Sequence, residues 1–494
     1  MNLSMIRYTL GKVTLIVGML MLIPCICSVW YQETEGLSYI AVSGSLILTG
    51  FLVSLVKPAD TTIYLKEGLV STSLSWILMS LLGALPMTLT GEIPSYVDSL
   101  FEAVSGFTTT GASILSDVEA LSHTTLMWRS TTHLIGGMGV LVFLLAVLPT
   151  KGGSQVNLMK AESPGPVVGK LVPRLRQTAK ILYLIYIGLT LLEALLLICG
   201  GYTVFESVNT AFSTAGTGGF GIKNDSLGSF TLYGKWVVSI FMLLFGVNFN
   251  FYYFMIMRQF RKGFEMSEVR VYLLIILAST AVVSLNIYNM YQSVGDTVTD
   301  SFFQVLSVMT TTGFSTTDFN LWPTTSKFIM FALMFCGACA GSTGGGIKVS
   351  RFIIVLKSLK KQMASLLTPK TIKKIQSDGK SVEHDTVRSV NVYFVAFTVI
   401  FVISAFIISF EGYDITTTLS SVAATFNNIG PGFNLVGPTC NFGGFTILSK
   451  FVFIFDMLAG RLEIFPLLIL LHPMLYKSIA VSAKNDYIDP IISK

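Results

Sequence analysis

The chain has 494 residues, of which 52% are hydrophobic and only 12% charged. Soluble globular chains carry about 25% charged residues, so an ordinary soluble domain is excluded. The net charge of +6 would point to nucleic acid in a soluble chain, but here the basic residues cluster between apolar runs and read as membrane topology, not DNA binding.

Arg7 and Lys12 precede an apolar run that ends near Trp30. It has the look of a signal peptide, but no small-x-small cleavage site follows and a second apolar run begins at once, so it is read as a retained span. Residues 1–68 are therefore predicted to hold two transmembrane helices, about Tyr8–Trp30 and Leu37–Val56. Farther on, Ile181–Leu192, Tyr272–Ala281 and Val392–Phe410 carry no charge, and several windows reach the roughly 20 apolar residues a helix needs to cross a bilayer.

After the second span one unit is written four times: an apolar run, a short Gly/Thr/Asn-rich segment, and another apolar run. The units are bounded at 69–150, 174–262, 268–362 and 386–480, and their polar segments centre on Gly111, Gly219, Gly313 and Gly430. Phe101-Glu-Ala-Val-Ser-Gly-Phe-Thr-Thr-Thr-Gly111 aligns without a gap on Phe303-Gln-Val-Leu-Ser-Val-Met-Thr-Thr-Thr-Gly313. The second copy, from Phe205 to Gly219, carries extra residues, and Ser420 to Gly430 matches in length and small-residue character. Such repetition predicts one module used four times. Each lead-in is too short to cross a bilayer and ends at a glycine, which reads as a half-helix followed by an extended return. Non-helical backbone survives at membrane depth only where protein or a water-filled cavity satisfies it, so four such segments predict a shared polar axis. The fold class is an all-α polytopic membrane protein with four helix–pore-loop–helix repeats around one pore.

A permeating monovalent cation must exchange its water for oxygen ligands of similar strength, and backbone carbonyls supply these without fixed charge. Glycine permits the torsions that turn successive carbonyls inward, and half-helices ending near the centre tune the potential through their dipoles. The bland alternative for a single segment is hydroxyls bonding back to their own helix and glycine packing closely. Four copies in register argue against it.

TTTGAS, GTGGFG, TTTGFS and NNIGPG, in this order, resemble the four filter loops of the Trk/Ktr/HKT superfamily of potassium transporters, closest to its bacterial Trk branch. The resemblance covers about Leu69 to Lys477. It implies filter glycines at Gly111, Gly219, Gly313 and Gly430, with the preceding carbonyls from Thr110, Gly218, Thr312 and Ile429. The insertion in the second loop leaves Gly216 open as an alternative to Gly219. Glycine at all four positions resembles the potassium-selective pattern, whereas serine in the first loop of plant members goes with sodium preference.

Gly216-Thr-Gly218-Gly-Phe-Gly221 also fits the dinucleotide fingerprint G-x-G-x-x-G, but it sits in a pore-loop repeat, without the strand and helix that motif needs. Gly341-Ser-Thr-Gly344-Gly345-Gly346-Ile347-Lys348 misses a P-loop by one residue. The run Gly337–Gly346 would instead break the second helix of the third repeat, since each interior glycine costs about 1 kcal/mol against alanine. It reads either as a close-packing face or as a flexible loop beneath the filter, and the latter resembles the family's gating loop, with Gly341, Gly344, Gly345 and Gly346 in it. Arg461 lies within the last apolar run, where ionisable residues are costly and face a cavity or a partner. A buried pair with Asp456 or Glu463 is one reading. The other, from the resemblance, is the arginine that projects into the pore below the filter as part of the gate.

The six cysteines lie mostly in apolar runs and suggest no disulfide framework. Cys336-x-x-Cys339 reads as small packing residues. His123, His133, His384 and His472 show no metal spacing, and no enzyme site emerges.

The expected function is uptake of K+ (and Rb+) over Na+ through a gated, channel-like subunit of the bacterial cytoplasmic membrane, with both termini cytoplasmic. K+ is the permeating ion, and no nucleotide is expected on this chain. A symporter coupled to H+ or Na+ is the alternative, and a nucleotide-binding membrane enzyme or receptor a third. The resemblance implies a homodimer with one pore per protomer, in contact with lipid. It also implies a ring of cytosolic nucleotide-binding regulatory subunits on the basic cytoplasmic face, which includes Lys357 to Arg388.

Overall fold

The structure, a computed structural model, describes residues 1–60, 62–139, 175–368, 374–378 and 380–476. Lys151, Lys160, Lys170, Arg174, the tail lysines Lys477, Lys484 and Lys494, and the ends of the first, second and fourth repeats as bounded above lie outside the described residues. The described chain is helical apart from a two-residue strand pair, Gln376–Ser377 with Lys380–Ser381.

Helices α1 (Leu3–Leu20) and α2 (Leu22–Tyr31) form one apolar span of 29 residues, and α3 (Gly36–Leu55) returns beside it. Small residues let the two backbones meet: a Cβ on Gly18 would come within 2.9 Å of the Ile47 nitrogen, and the Ser43 hydroxyl donates to the Gly18 carbonyl at 2.8 Å. In the turn between them, the Glu33 carboxylate accepts from the backbone nitrogens of His123 and Thr124 at 2.8 and 2.9 Å, clasping the next repeat. Burial raises the Glu33 pKa, but the bonds from Thr124 and His123 outweigh it and hold the carboxyl below its ordinary value. That clasp contributes stability above the unfolded carboxylate pKa and loses it as pH falls through the lowered folded value.

Each repeat then has an outer helix, a pore helix and an inner helix. The first has α4 (Leu65–Leu89), α5 (Tyr96–Phe107) and α6 (His123–Met138). The second has α7 (Leu175–Cys199), α8 (Val204–Gly216), and α9 (Leu232–Gly246) bent by 91° into α10 (Phe249–Ile256). A short α11 (Phe260–Phe264) leads to the third: α12 (Ser267–Ile287), α13 (Val294–Met309), α14 (Thr324–Cys336) and the trailing α15 (Val349–Leu367). The fourth has α16 (His384–Ile408), α17 (Ile415–Phe426), α18 (Ile447–Arg461) and α19 (Phe465–Leu471).

The outer helices α7, α12 and α16 each bury only 28% of their apolar window, leaving leucines such as Leu184, Leu274 and Leu285 outward as a lipid face, whereas α4 buries 61%. The difference comes from the N-terminal hairpin, which packs over α4. The inner helices are short, with 16, 15, 13 and 15 residues for α6, α9, α14 and α18. At 1.5 Å per residue they reach about 20–24 Å, less than the ~30 Å hydrocarbon core. Each ends in a break: Gly139 (φ 76), the bend after Gly246, Gly337 (φ 70), and Glu463 with Ile464 (φ 57 and 69). The sequence signals only the third of these.

The pore helices start at side-chain caps from Ser95, Thr203, Ser293 and Asp414. Their carboxyl ends converge, with α5 and α17 set in an apolar cluster of the first and fourth repeats and α8 and α13 in one of the second and third.

Candidate functional site

The four pore helices end in the same backbone phrase. Thr109, Thr217, Thr311 and Asn428 are left-handed, with φ of 54, 54, 59 and 56°. The next residue's nitrogen bonds back five residues in each case: Thr110 to Ser105, Gly218 to Ser213, Thr312 to Ser307 and Ile429 to Ala424, at 2.8–2.9 Å. Together with the bonds from Thr109 to Gly106, Thr217 to Thr214, Thr311 to Val308 and Asn428 to Thr425, this is a Schellman cap. A glycine at positive φ follows each time: Gly111 (78°), Gly219 (75°), Gly313 (83°) and Gly430 (99°). Gly216 lies in the last turn of α8, so the phrase runs through Gly219.

Left-handed threonine is strained by about 1–3 kcal/mol, and the hydroxyls hold it in place. Thr110 Oγ1 lies 2.7 Å from Thr108 Oγ1, which donates to the Val104 carbonyl, and Thr312, Thr310 and Leu306 repeat the chain. Asn428 Nδ2 donates to Thr110 Oγ1 (3.0 Å) and to the Met457 carbonyl (2.9 Å), stitching the fourth turn to the first. The hydroxyls of Thr108, Thr110, Thr310 and Thr312 are thus committed to scaffolding. Among the described residues no hydrogen bond is donated to the carbonyls of Thr110, Gly218, Thr312 or Ile429.

These turns close a ring. A Cβ on Gly111 would fall on the Gly218 carbonyl oxygen, one on Gly219 on that of Thr312, and one on Gly313 on that of Ile429. One on Gly430 would reach to 2.7 Å from that of Thr110. Each glycine therefore abuts the carbonyl of the next repeat, in the order 1-2-3-4 and back to 1. Four helix carboxyl ends, each with a partial negative charge, surround it. On one side opens a vestibule lined by the four glycines and residues after them, such as Ala112, Phe220, Ser315 and Pro431.

Two residues that the sequence reading did not weigh brace this ring. Arg129 on α6 pairs with Glu102 on α5, with Nε and Nη2 both 2.8 Å from Oε1, and the side chains are 3% and 0% exposed. Glu102 also accepts from Ser113 Oγ and the Ile114 nitrogen, while Arg129 donates to the Gly221 carbonyl (3.2 Å) and lies 4.0 Å from the centre of the Phe220 ring. The extended segments leaving the first two turns are tied through one buried pair. Its signal was a charge inside the rhyming lead-in itself. Removing one partner leaves an uncompensated buried charge, so Glu102→Gln and Arg129→Gln are each expected to cost about 3–5 kcal/mol, read by thermal unfolding in detergent. The double variant should lose less than the sum, and strictly additive losses would exclude the pair.

On the other side of the ring the chain from Gly337 to Gly346 is a non-helical loop between α14 and α15. A Cβ on Gly344 would reach 2.8 Å from the Thr310 carbonyl, and one on Gly345 2.7 Å from that of Asn427, so the loop lies directly against the third and fourth turns. The Gly345 nitrogen donates to Thr311 Oγ1 at 2.6 Å. Cys339 N bonds the Gly246 carbonyl and Phe249 N the Gly341 carbonyl, which ties the loop into the bend of the second repeat. Gly341 and Gly346 take φ of 68°. Glu268 Oε1 accepts from the nitrogens of Ala340 within the loop and Ser350 in the first turn of α15 (2.7 and 3.1 Å), and the buried Lys348 ammonium caps the Gly344 carbonyl.

Arg461 joins this loop to the first repeat. Its Nη1 donates to the Thr343 carbonyl at 2.8 Å, and its Nη2 to those of Gly137 (2.9 Å) and Gly136 at the end of α6. The acidic neighbours considered from the sequence are occupied elsewhere: Asp456 accepts from Ser404 Oγ (2.7 Å), and Glu463 pairs with Arg351. Neither was legible as engaged, since Ser404 and Arg351 lie far off in the chain. The structure thus brings the eight turn residues into one ring and the four loop glycines with Arg461 beneath it.

The sequence model of the TrkH family, described as a cation transport protein, matches residues 39–478. The chain is 32% identical over 486 residues to the Trk system potassium uptake protein TrkH of Halomonas elongata, spanning 97% of this chain and 100% of that one. It is 33% identical over 491 residues to the Trk system potassium uptake protein TrkG of Escherichia coli, with coverage of 97% and 100%. Its fold is similar to the crystal structure of the potassium transporter TrkH from Vibrio parahaemolyticus, with a TM-score of 0.86, 29% identity, and coverage of 96% of this chain and 99% of that chain.

Proposed function

This chain belongs to the TrkH family of cation transport proteins, and from that premise we propose that its glycine ring is the ion-selecting element of a Trk potassium uptake system. It is a multi-pass membrane transport subunit, not an enzyme, that carries K+ and works with other Trk components. The observation that carries the ring assignment is the closed cycle in which every glycine abuts the next repeat's carbonyl.

A K+ ion entering the vestibule sheds water and takes ligands from the carbonyls of Thr110, Gly218, Thr312 and Ile429, whose energies resemble those of its hydration shell. Rb+ is close enough in size to follow, whereas Na+ is too small to be held by four oxygens that the Schellman turns and hydroxyl chains keep apart. The negative ends of four helix dipoles favour the cation over an anion. The membrane potential supplies about 2.3 kcal/mol per charge per 100 mV, enough to draw K+ inward without an ATPase on this chain.

The loop bearing Gly341, Gly344, Gly345 and Gly346 is the gate. Arg461 holds it shut and places a fixed positive charge on the exit path. Opening requires the guanidinium to release the Thr343, Gly136 and Gly137 carbonyls. Both termini and the basic segments lie on the cytoplasmic side, in keeping with the positive-inside rule. A cytosolic nucleotide-binding ring subunit docks there, and a second copy of the chain completes a homodimer. Helix α15, which leaves the gate loop directly, supports both: it exposes Leu359, Met363 and Leu366 as well as Lys360.

Tracer uptake into proteoliposomes tests the reading. Rb+ should enter far faster than Na+ or Li+ under an inward-negative potential, and equal rates would refute selectivity.

A further inference from the structure

The residue before the ring glycine is Thr110, Thr312 and Ile429 in three repeats but Gly218 in the second. Gly218 does not have positive φ, so its backbone does not require glycine. Space does: a Cβ at 218 would fall on the Cγ, Nδ1 and Cε1 atoms of His133. His133 stands on α6, one turn after Arg129, and is completely buried. Its ring stacks on Phe220, the residue after Gly219, with centroids 4.2 Å apart and planes within 22°. Neither ring nitrogen has a hydrogen-bond partner among the described residues, so the imidazole is held by shape. Thr132, its neighbour, packs on Gly106 and the Gly136 backbone on the Phe107 carbonyl, making α6 the wall behind both the first and the second turn.

We propose that His133 is a positioning residue for selectivity: it supplies from α6 the side chain that the second turn lacks, and so fixes the Gly218 carbonyl in the ring. The inference rests on the reading of the ring as the filter. The second repeat reaches the same backbone as its siblings by a different packing. Thr110 and Thr312 brace their turns from within through hydroxyl chains, whereas the imidazole braces the Gly218 turn from outside. Truncating His133 would leave Gly218 facing a void on the side away from the ion, and the carbonyl would be free to rotate off the axis.

A double-variant cycle in proteoliposomes tests this. His133→Ala should lower the Rb+ over Na+ uptake ratio by about tenfold or more, the change given by 1.4 kcal/mol in relative site energy. Gly218→Thr alone should abolish Rb+ uptake, because the new side chain meets the imidazole. In the pair, the threonine fills the vacated space as in the first and third repeats and should recover more of the ratio than either single variant. A wild-type ratio in His133→Ala, undiminished uptake in Gly218→Thr, or a pair no better than its better member would overturn the proposal. If His133→Ala aggregates on size exclusion, His133→Gln is judged by the same ratio. Gly313→Ser is assayed alongside. If it also keeps the wild-type ratio, the filter reading itself fails; if it loses the ratio while His133→Ala keeps it, only the role of His133 fails.

Discussion

Gly313→Ser is expected to lower the Rb+ over Na+ uptake ratio by at least about tenfold, a change of 1.4 kcal/mol or more in relative site energy. Gly313 has φ 83°, and the added Cβ would fall on the Ile429 carbonyl oxygen and stand 3.0 Å from Pro431 Cδ. Gly313's own turn is held by the Thr312–Thr310–Leu306 hydroxyl chain, whereas Ile429 carries no hydroxyl to brace its carbonyl, so the Ile429 carbonyl is the one that yields. Once it tilts away, the ring keeps three oxygens and gains room for water. A partly hydrated Na+ then competes, because its missing ligands are supplied by solvent. The backbone strain of a left-handed serine is about 1–2 kcal/mol, small beside the stability of a chain of this size, so the variant should purify folded and still conduct. An unchanged ratio in folded protein would contradict the assignment. The reasoning extends to Gly111 and Gly219, whose added Cβ atoms likewise fall on a neighbour's carbonyl.

Arg461→Ala is expected to raise basal Rb+ flux, measured without any cytosolic partner. The guanidinium donates to three carbonyls across two repeats. Hydrogen bonds to charged groups contribute about 1.5–3 kcal/mol each, so the net loss of one shifts the opening of the gate loop roughly 10- to 100-fold. Removing the charge also lowers the electrostatic barrier to a cation leaving the ring. Two further substitutions separate these effects. Arg461→Lys keeps the charge but cannot span three carbonyls with a planar fork, so it should leak less than alanine. Arg461→Gln keeps a donor without the charge. Basal flux equal to wild type in all three would remove Arg461 from the gate. The Rb+ over Na+ ratio should stay at the wild-type value throughout, because the ring is not touched.

Much of this architecture was legible because the chain repeats itself. The gapless alignment of Phe101–Gly111 on Phe303–Gly313 identified two turns, and the other two followed from position. Register in the second was ambiguous, since glycine stands at 216, 218, 219 and 221. Only the backbone shows α8 running through Gly216. Of the breaks in the inner helices only the one at Gly337 was legible, because there the glycines run together through Gly346. The break after α18 falls instead on Glu463 and Ile464, two residues that seldom take positive φ. There the tertiary setting, with Glu463 pulled to Arg351, overrides local preference, and no composition rule would find it. The Glu102–Arg129 brace and the fit of His133 against Gly218 share a different obstacle. Each joins elements through packing that a linear pattern does not encode, although the odd glycine at 218 was visible from the start.

The central claim is that four backbone carbonyls, one from each repeat, hold the cation. Anomalous diffraction from crystals of the protein grown in Rb+ or Tl+ tests it most directly. A peak is expected on the ring axis, equidistant from the carbonyl oxygens of Thr110, Gly218, Thr312 and Ile429, which weakens when Na+ replaces the heavier ion. A dominant peak bound by side-chain oxygens away from that axis, in protein that still takes up Rb+, would contradict it.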